Sequence, residues 1–113
     1  MSRSDASEIR AQLRSFADPG IARHAEGFFK TAKGEYGAGD QFHGVRMPNV
    51  RKVADEFSSA SLSTIRTLLR SRFHEERLLA AIMLRKRFEC GNAAEQAQVY
   101  QLYLENLQFI NNW

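Results

Sequence analysis

The chain has 113 residues, 43% hydrophobic and 26% charged, the size and composition of one soluble globular domain, which excludes disordered and fibrous classes. No apolar run is long enough to span a membrane, and the residues behind Met1 carry no signal-peptide core. The single cysteine, Cys90, allows no internal disulfide and has no Cys or His partner at zinc spacing, so the expected address is a reducing one, the cytoplasm.

In chain order, the first helix is predicted from near Ser4 or Asp5 to about Ala17, with Ile9, Leu13, Phe16 and Ala17 on one stripe and Asp5 and Glu8 at capping-box spacing. Asp18-Pro19 then supplies an N-cap and a first helical residue. The second helix is expected to reach about Thr31 and to bury Ile21, Ala25, Phe28 and Phe29.

Lys33 to Pro48 breaks the helical pattern. It holds four of the seven glycines, Gly34, Gly37, Gly39 and Gly44, and so many residues able to take positive φ describe a folded loop. Its Lys33, Tyr36, Phe42, His43 and Arg46 form a mixture of aromatic and cationic groups suited to something anionic and flat. Pro48 reopens a helix in which Val50, Val53, Ala54 and Phe57 fall at helical spacing.

After the turn at Ser58-Ser59-Ala60-Ser61, Leu62, Ile65, Leu68 and Leu69 mark a helix ending near Arg72. Another is predicted from about His74 to Cys90, with Glu75 and Glu76 in its first turn and Arg85, Lys86 and Arg87 in its last, complementing the helix dipole. Its run from Leu78 to Leu84 is wholly apolar and needs cover on several sides. Gly91 stops it, and Asn92 with Glu95 caps the next helix. That helix presents Val99, Leu102, Tyr103 and Leu107, with Tyr100 and Leu104 widening the stripe. Asn111-Asn112-Trp113 reads as the start of another.

No strand or hairpin pattern competes, so the expected fold is all-α, six helices in one domain over residues 1–113. The last four pair as two helical hairpins of similar length, a spacing compatible with stacked antiparallel repeats of the HEAT kind. A stack that ends part-way through a unit would expose an apolar face, which a second copy of the chain could cover.

The net charge of +3 is unevenly spread: residues 66–87 carry +5 and everything from Phe88 onward −3. Arginine dominates that excess, and its fork matches phosphate oxygens, although a solvated helix face uses the same residues. The glycine loop lacks the preceding strand and the Lys-Ser or Lys-Thr of a phosphate loop. His24, His43 and His74 fall on separate elements without metal-ligand spacing, so neither metal nor cofactor is expected. Glu35 and Asp40 are more simply read as loop hydrogen-bonding groups than as catalytic carboxylates.

Several ordered blocks together resemble a known family. Phe28-Phe29-Lys30, Gly34 through Asp40, Phe42, Gly44-Val45-Arg46 with Pro48 and Arg51, His74 through Ala80, Tyr103-Leu104-Glu105, and Ile110 through Trp113 are similar to the DNA alkylation repair proteins built from HEAT-like helical repeats. The resemblance runs from about Ile21 to the last residue. It implies DNA glycosylases that release N3- or N7-alkylated purines from duplex DNA held on a basic concave surface, without flipping the base into a pocket. Trp113 matches the family's tryptophan that packs against the sugar of the lesion nucleotide. The catalytic Asp of the family follows that tryptophan by about one helical turn, a position beyond Trp113, so the chain resembles the N-terminal half of a longer repeat domain and is expected to be inactive alone. Arg46, Met47 and Arg51 match the segment that approaches DNA, with Lys33 and Tyr36 as neighbours.

Overall fold

The computed structural model describes residues 5–28 and 41–106, with side chains described for 5–25 and 41–106. These form six helices: α1 (Ala6–Arg14), α2 (Pro19–Phe28), α3 (Met47–Glu56), α4 (Leu62–Leu69), α5 (His74–Cys90) and α6 (Ala93–Glu105). The described residues contain no strand, and one isolated parallel bridge joins Gln41 to Phe73.

The helix starts are set by capping side chains, at Asp5, Asp18 and Asn92 as the sequence predicts and at Ser61 in addition. Asp5 Oδ1 accepts the Glu8 N–H at 2.9 Å, and Asp18 Oδ1 accepts those of Gly20 and Ile21 at 2.8 and 3.2 Å. Ser61 Oγ accepts the Thr64 N–H at 3.2 Å. Asn92 and Glu95 make a reciprocal capping box. Two helices stop short of their expected ends. α1 closes at Arg14 because the Phe16 and Ala17 N–H groups reach back only three residues, to Leu13 and Arg14, tightening the last turn. α4 closes at Leu69, where Arg70 and Ser71 do the same to Thr67 and Leu68. Gly91 ends α5 with extended backbone and no left-handed cap. Its lack of a side chain serves close packing, since a Cβ there would meet the Arg87 carbonyl oxygen and Glu95 Cβ at 2.9 Å.

α5 is the centre of the molecule. It packs on α3, α4 and α6, while α1 lies across α3 and α4. That position accounts for its apolar run: Leu79, Ala80, Met83 and Leu84 are buried, and Leu78 and Ile82 pack on the same core. Ile9 and Leu13 of α1, Val50, Val53 and Ala54 of α3, and Ile65, Leu68 and Leu69 of α4 complete the core with Val99 and Leu102 of α6.

Two expected stripes change. In α2 the buried residue is Ala22, while Ile21 and Ala25 are half-buried. Phe28 and Phe29 lie outside the described side chains. In α6 only Val99 and Leu102 are buried; Tyr100, Tyr103 and Leu104 are exposed, beside exposed Phe88 of α5. The helix has one neighbouring pair to pack on, α5 with a lighter touch from α4, so a wide apolar stripe is covered only along its middle. Leu107 lies outside the described residues.

Candidate nucleic-acid interface

The segment from Gln41 to Arg46 has no regular structure of its own and is fastened to the start of α5. The Gln41 N–H donates to the Arg72 carbonyl at 3.2 Å, and the His74 N–H donates to the Gln41 carbonyl at 2.7 Å. Glu75 then takes three successive backbone donors: His43 N–H on Oε1 at 2.9 Å, and Gly44 and Val45 N–H on Oε2 at 2.9 and 3.1 Å. A buried carboxylate is tolerable only when its oxygens are filled in this way.

Glu76 does the same with side chains. Its Oε1 accepts Arg10 Nε and its Oε2 accepts His43 Nε2, both at 2.7 Å, and its own side chain is 1% exposed. Burial pushes the Glu76 carboxyl up, but hydrogen bonds from His43, Ser71 and Arg10 and the Arg10 charge outweigh it and take it from 4.5 down to about 2. The ionised carboxylate accepts only, so His43 Nε2 is the donor. Flat contacts lock the same turn: Phe42 stacks on His74 with centroids 4.8 Å apart, and His43 on Phe73 at 3.8 Å.

Gly44 makes the turn possible. Its φ of +85° is the left-handed conformation that other residues adopt reluctantly. A Cβ there would overlap the Asp18 carbonyl oxygen and lie 2.8 Å from the Ala22 nitrogen. The Gly44 carbonyl accepts the Asp18 N–H at 2.9 Å, so the turn touches α5 on one side and the start of α2 on the other.

The fastened segment delivers Arg46 to the N-cap of α3 in extended conformation, with no capping bond from its side chain. Arg46 and Arg51 are exposed, and Met47, at 37% exposure, points outward and does not fill the core. Met47 and Arg51 are four residues apart and share a face. Among the described residues neither Arg46 nor Arg51 has a carboxylate at ion-pair distance. Lys33, Tyr36 and Trp113 lie outside the described residues. Phe42 and His43, which the sequence suggests for a contact surface, are instead turned inward: Phe42 is 8% exposed and the His43 side chain 7%. Their polar and aromatic surfaces are used up by α5. Among the described residues no three metal-ligating side chains gather, and no helix is long and apolar enough to cross a membrane.

Sequence reasoning misses the two residues that build this region, Glu75 and Glu76, by reading them as helix-dipole partners. Their real partners are thirty or more positions upstream for His43, Gly44 and Val45 and 66 for Arg10, and no local pattern announces such pairs. Among the described residues the elements are all helices, the Gly44 turn is bolted to α5, and Arg46 and Arg51 at the start of α3 are exposed with no carboxylate at ion-pair distance. The sequence matches the family of DNA alkylation repair enzymes over residues 9–113, and the chain belongs to that family. No curated protein and no solved structure gives a significant match to it.

Proposed function

We propose that this chain holds the backbone of alkylated double-stranded DNA, serving the lesion recognition expected of glycosylases that excise N3- or N7-alkylated purines, within a HEAT-like repeat surface. The observation that carries the reading is the exposed Arg46–Met47–Arg51 face at the start of α3, whose arginines have no carboxylate at ion-pair distance among the described residues and which is held in place by Glu75 and Gly44. A helix N-terminus and arginine forks both favour phosphate oxygens, and Met47 adds an apolar contact between them. Lys33 and Tyr36 belong to the same proposal as neighbours upstream.

Hydrolysis of the C1′–N bond is a different demand. The leaving purine already carries positive charge, so the barrier falls when a carboxylate stabilises an oxocarbenium-like sugar and positions water. Among the described residues the buried carboxylates Glu75 and Glu76 have their oxygens filled by loop and side-chain donors, so neither can face a sugar. Glu75 and Glu76 are thus structural, and the reading is binding without base release by this polypeptide, with Trp113 as an aromatic wall against the lesion sugar.

The test is a duplex containing 7-methylguanine, followed for both affinity and base release. Arg46→Gln with Arg51→Gln is expected to weaken binding about 10-fold or more, from two lost phosphate contacts, and no free 7-methylguanine is expected. Unchanged affinity overturns the binding surface, and base release overturns the non-catalytic reading. The exposed Phe88, Tyr100, Tyr103 and Leu104 favour a second reading in which this face pairs with another copy of the chain; a monomeric sedimentation mass at high concentration counts against it.

A further inference from the structure

A second basic feature lies at the Glu76 anchor itself. Arg10 and Arg14 of α1 and Ser71, Arg72 and Phe73 before α5 line a surface cleft of about 240 Å³ with Glu76 among its walls. We infer that this cleft is a binding site for a phosphate group, met as a phosphodiester of bound nucleic acid, in addition to the contacts at Arg46 and Arg51.

The charge balance is favourable. Three guanidinium groups face one carboxylate, and that carboxylate is already engaged by Arg10 and His43 at 2.7 Å. Arg10 is thereby oriented as well as neutralised. Arg14 and Arg72 are exposed, and among the described residues neither has a carboxylate at ion-pair distance. Both are instead held by one aromatic ring: the Arg14 and Arg72 Cζ atoms lie 5.9 and 5.5 Å from the Phe73 centroid. Phe73 is itself fixed by its stack on His43. Cation–π contact leaves the N–H edges of a guanidinium available while limiting its rotamers. Two forks held in advance lose less entropy on meeting an oxyanion than two free surface arginines would. The sequence places these residues 58 positions apart, from Arg14 to Arg72, and the loop fastening at Glu76 brings them to one cleft.

In its nucleic-acid form the inference rests on the duplex binding proposed above, so its test has two arms. In the first, inorganic phosphate is titrated into the full chain against chloride at matched ionic strength, with amide NMR shifts of Ser71, Arg72 and Phe73 as the readout. The shifts are expected in the wild type and lost in Arg14→Gln with Arg72→Gln. In the second arm, duplex affinity is measured against salt, where the same double variant lowers the slope of log affinity on log salt by about 2. Arg14→Lys with Arg72→Lys retains that slope, because counterion release counts charges, while weakening the phosphate titration by loss of the forks. Phosphate shifts with an unchanged slope assign the cleft to a free phosphate group and leave the Arg46 surface untouched. A wild type without phosphate-specific shifts, together with an unchanged slope in the double Gln variant, overturns the inference.

Discussion

Two residues decide the shape of the contact region. Gly44 combines a φ of +85° with backbone atoms of Asp18 and Ala22 where a side chain would sit, so neither relaxation of φ nor a small shift accommodates a methyl group. Gly44→Ala is expected to destabilise the chain by on the order of 3 kcal/mol, read from the urea midpoint. Glu76 gives a pH signature. Its folded value of about 2 lies below the ordinary 4.5, so the unfolded chain binds the proton more readily. The resulting stability is complete above about 4.5 and is lost as pH falls toward 2. The expected size is on the order of 3 kcal/mol. Glu76→Gln should lower the melting temperature at neutral pH and flatten the acid limb between those values; an acid limb of unchanged steepness would mean that Glu76 is not the group responsible.

At the scale of elements, local signals serve well. Asp5, Asp18 and Asn92 all cap the helices the sequence assigns to them, because capping needs only residues within one turn, and Ser61, read from sequence only as part of a turn, caps α4 as well. The reciprocal Asn92–Glu95 box sits on the surface, and Asn92→Ala is expected to cost about 1 kcal/mol, checked by the same urea midpoint. The apolar run of α5 correctly signals a helix surrounded by others. What the sequence hides is non-local. Phe42 and His43 look like ligand-facing aromatics, yet both stack on residues at the start of α5. Glu75 and Glu76 look like dipole partners and prove to be the anchors of a loop. The α6 stripe overstates burial, since periodicity shows which face is apolar but not how far its neighbour extends. Arg46, Met47 and Arg51 are grouped by the family resemblance and not by any local pattern, and the structure leaves all three exposed.

The whole molecule is a helical scaffold with α5 at its centre and its local basic excess carried before and along that helix. The chain belongs to the family of DNA alkylation repair enzymes over residues 9–113. The proposed contact with DNA uses arginines held in place beside buried carboxylates. Glu75 orders the turn leading to Arg46, and Glu76 ties Arg10 and His43 to α5. Holding the cations in place lowers the ordering cost of binding, whereas their summed charge supplies attraction that salt screens. The measurement that tests this most directly is duplex affinity between roughly 50 and 200 mM salt for the wild type and for Arg46→Gln with Arg51→Gln. The account predicts a steep linear fall of log affinity with log salt in the wild type and a slope smaller by about 2 in the variant. A flat wild-type response, or the same slope in both proteins, would contradict it.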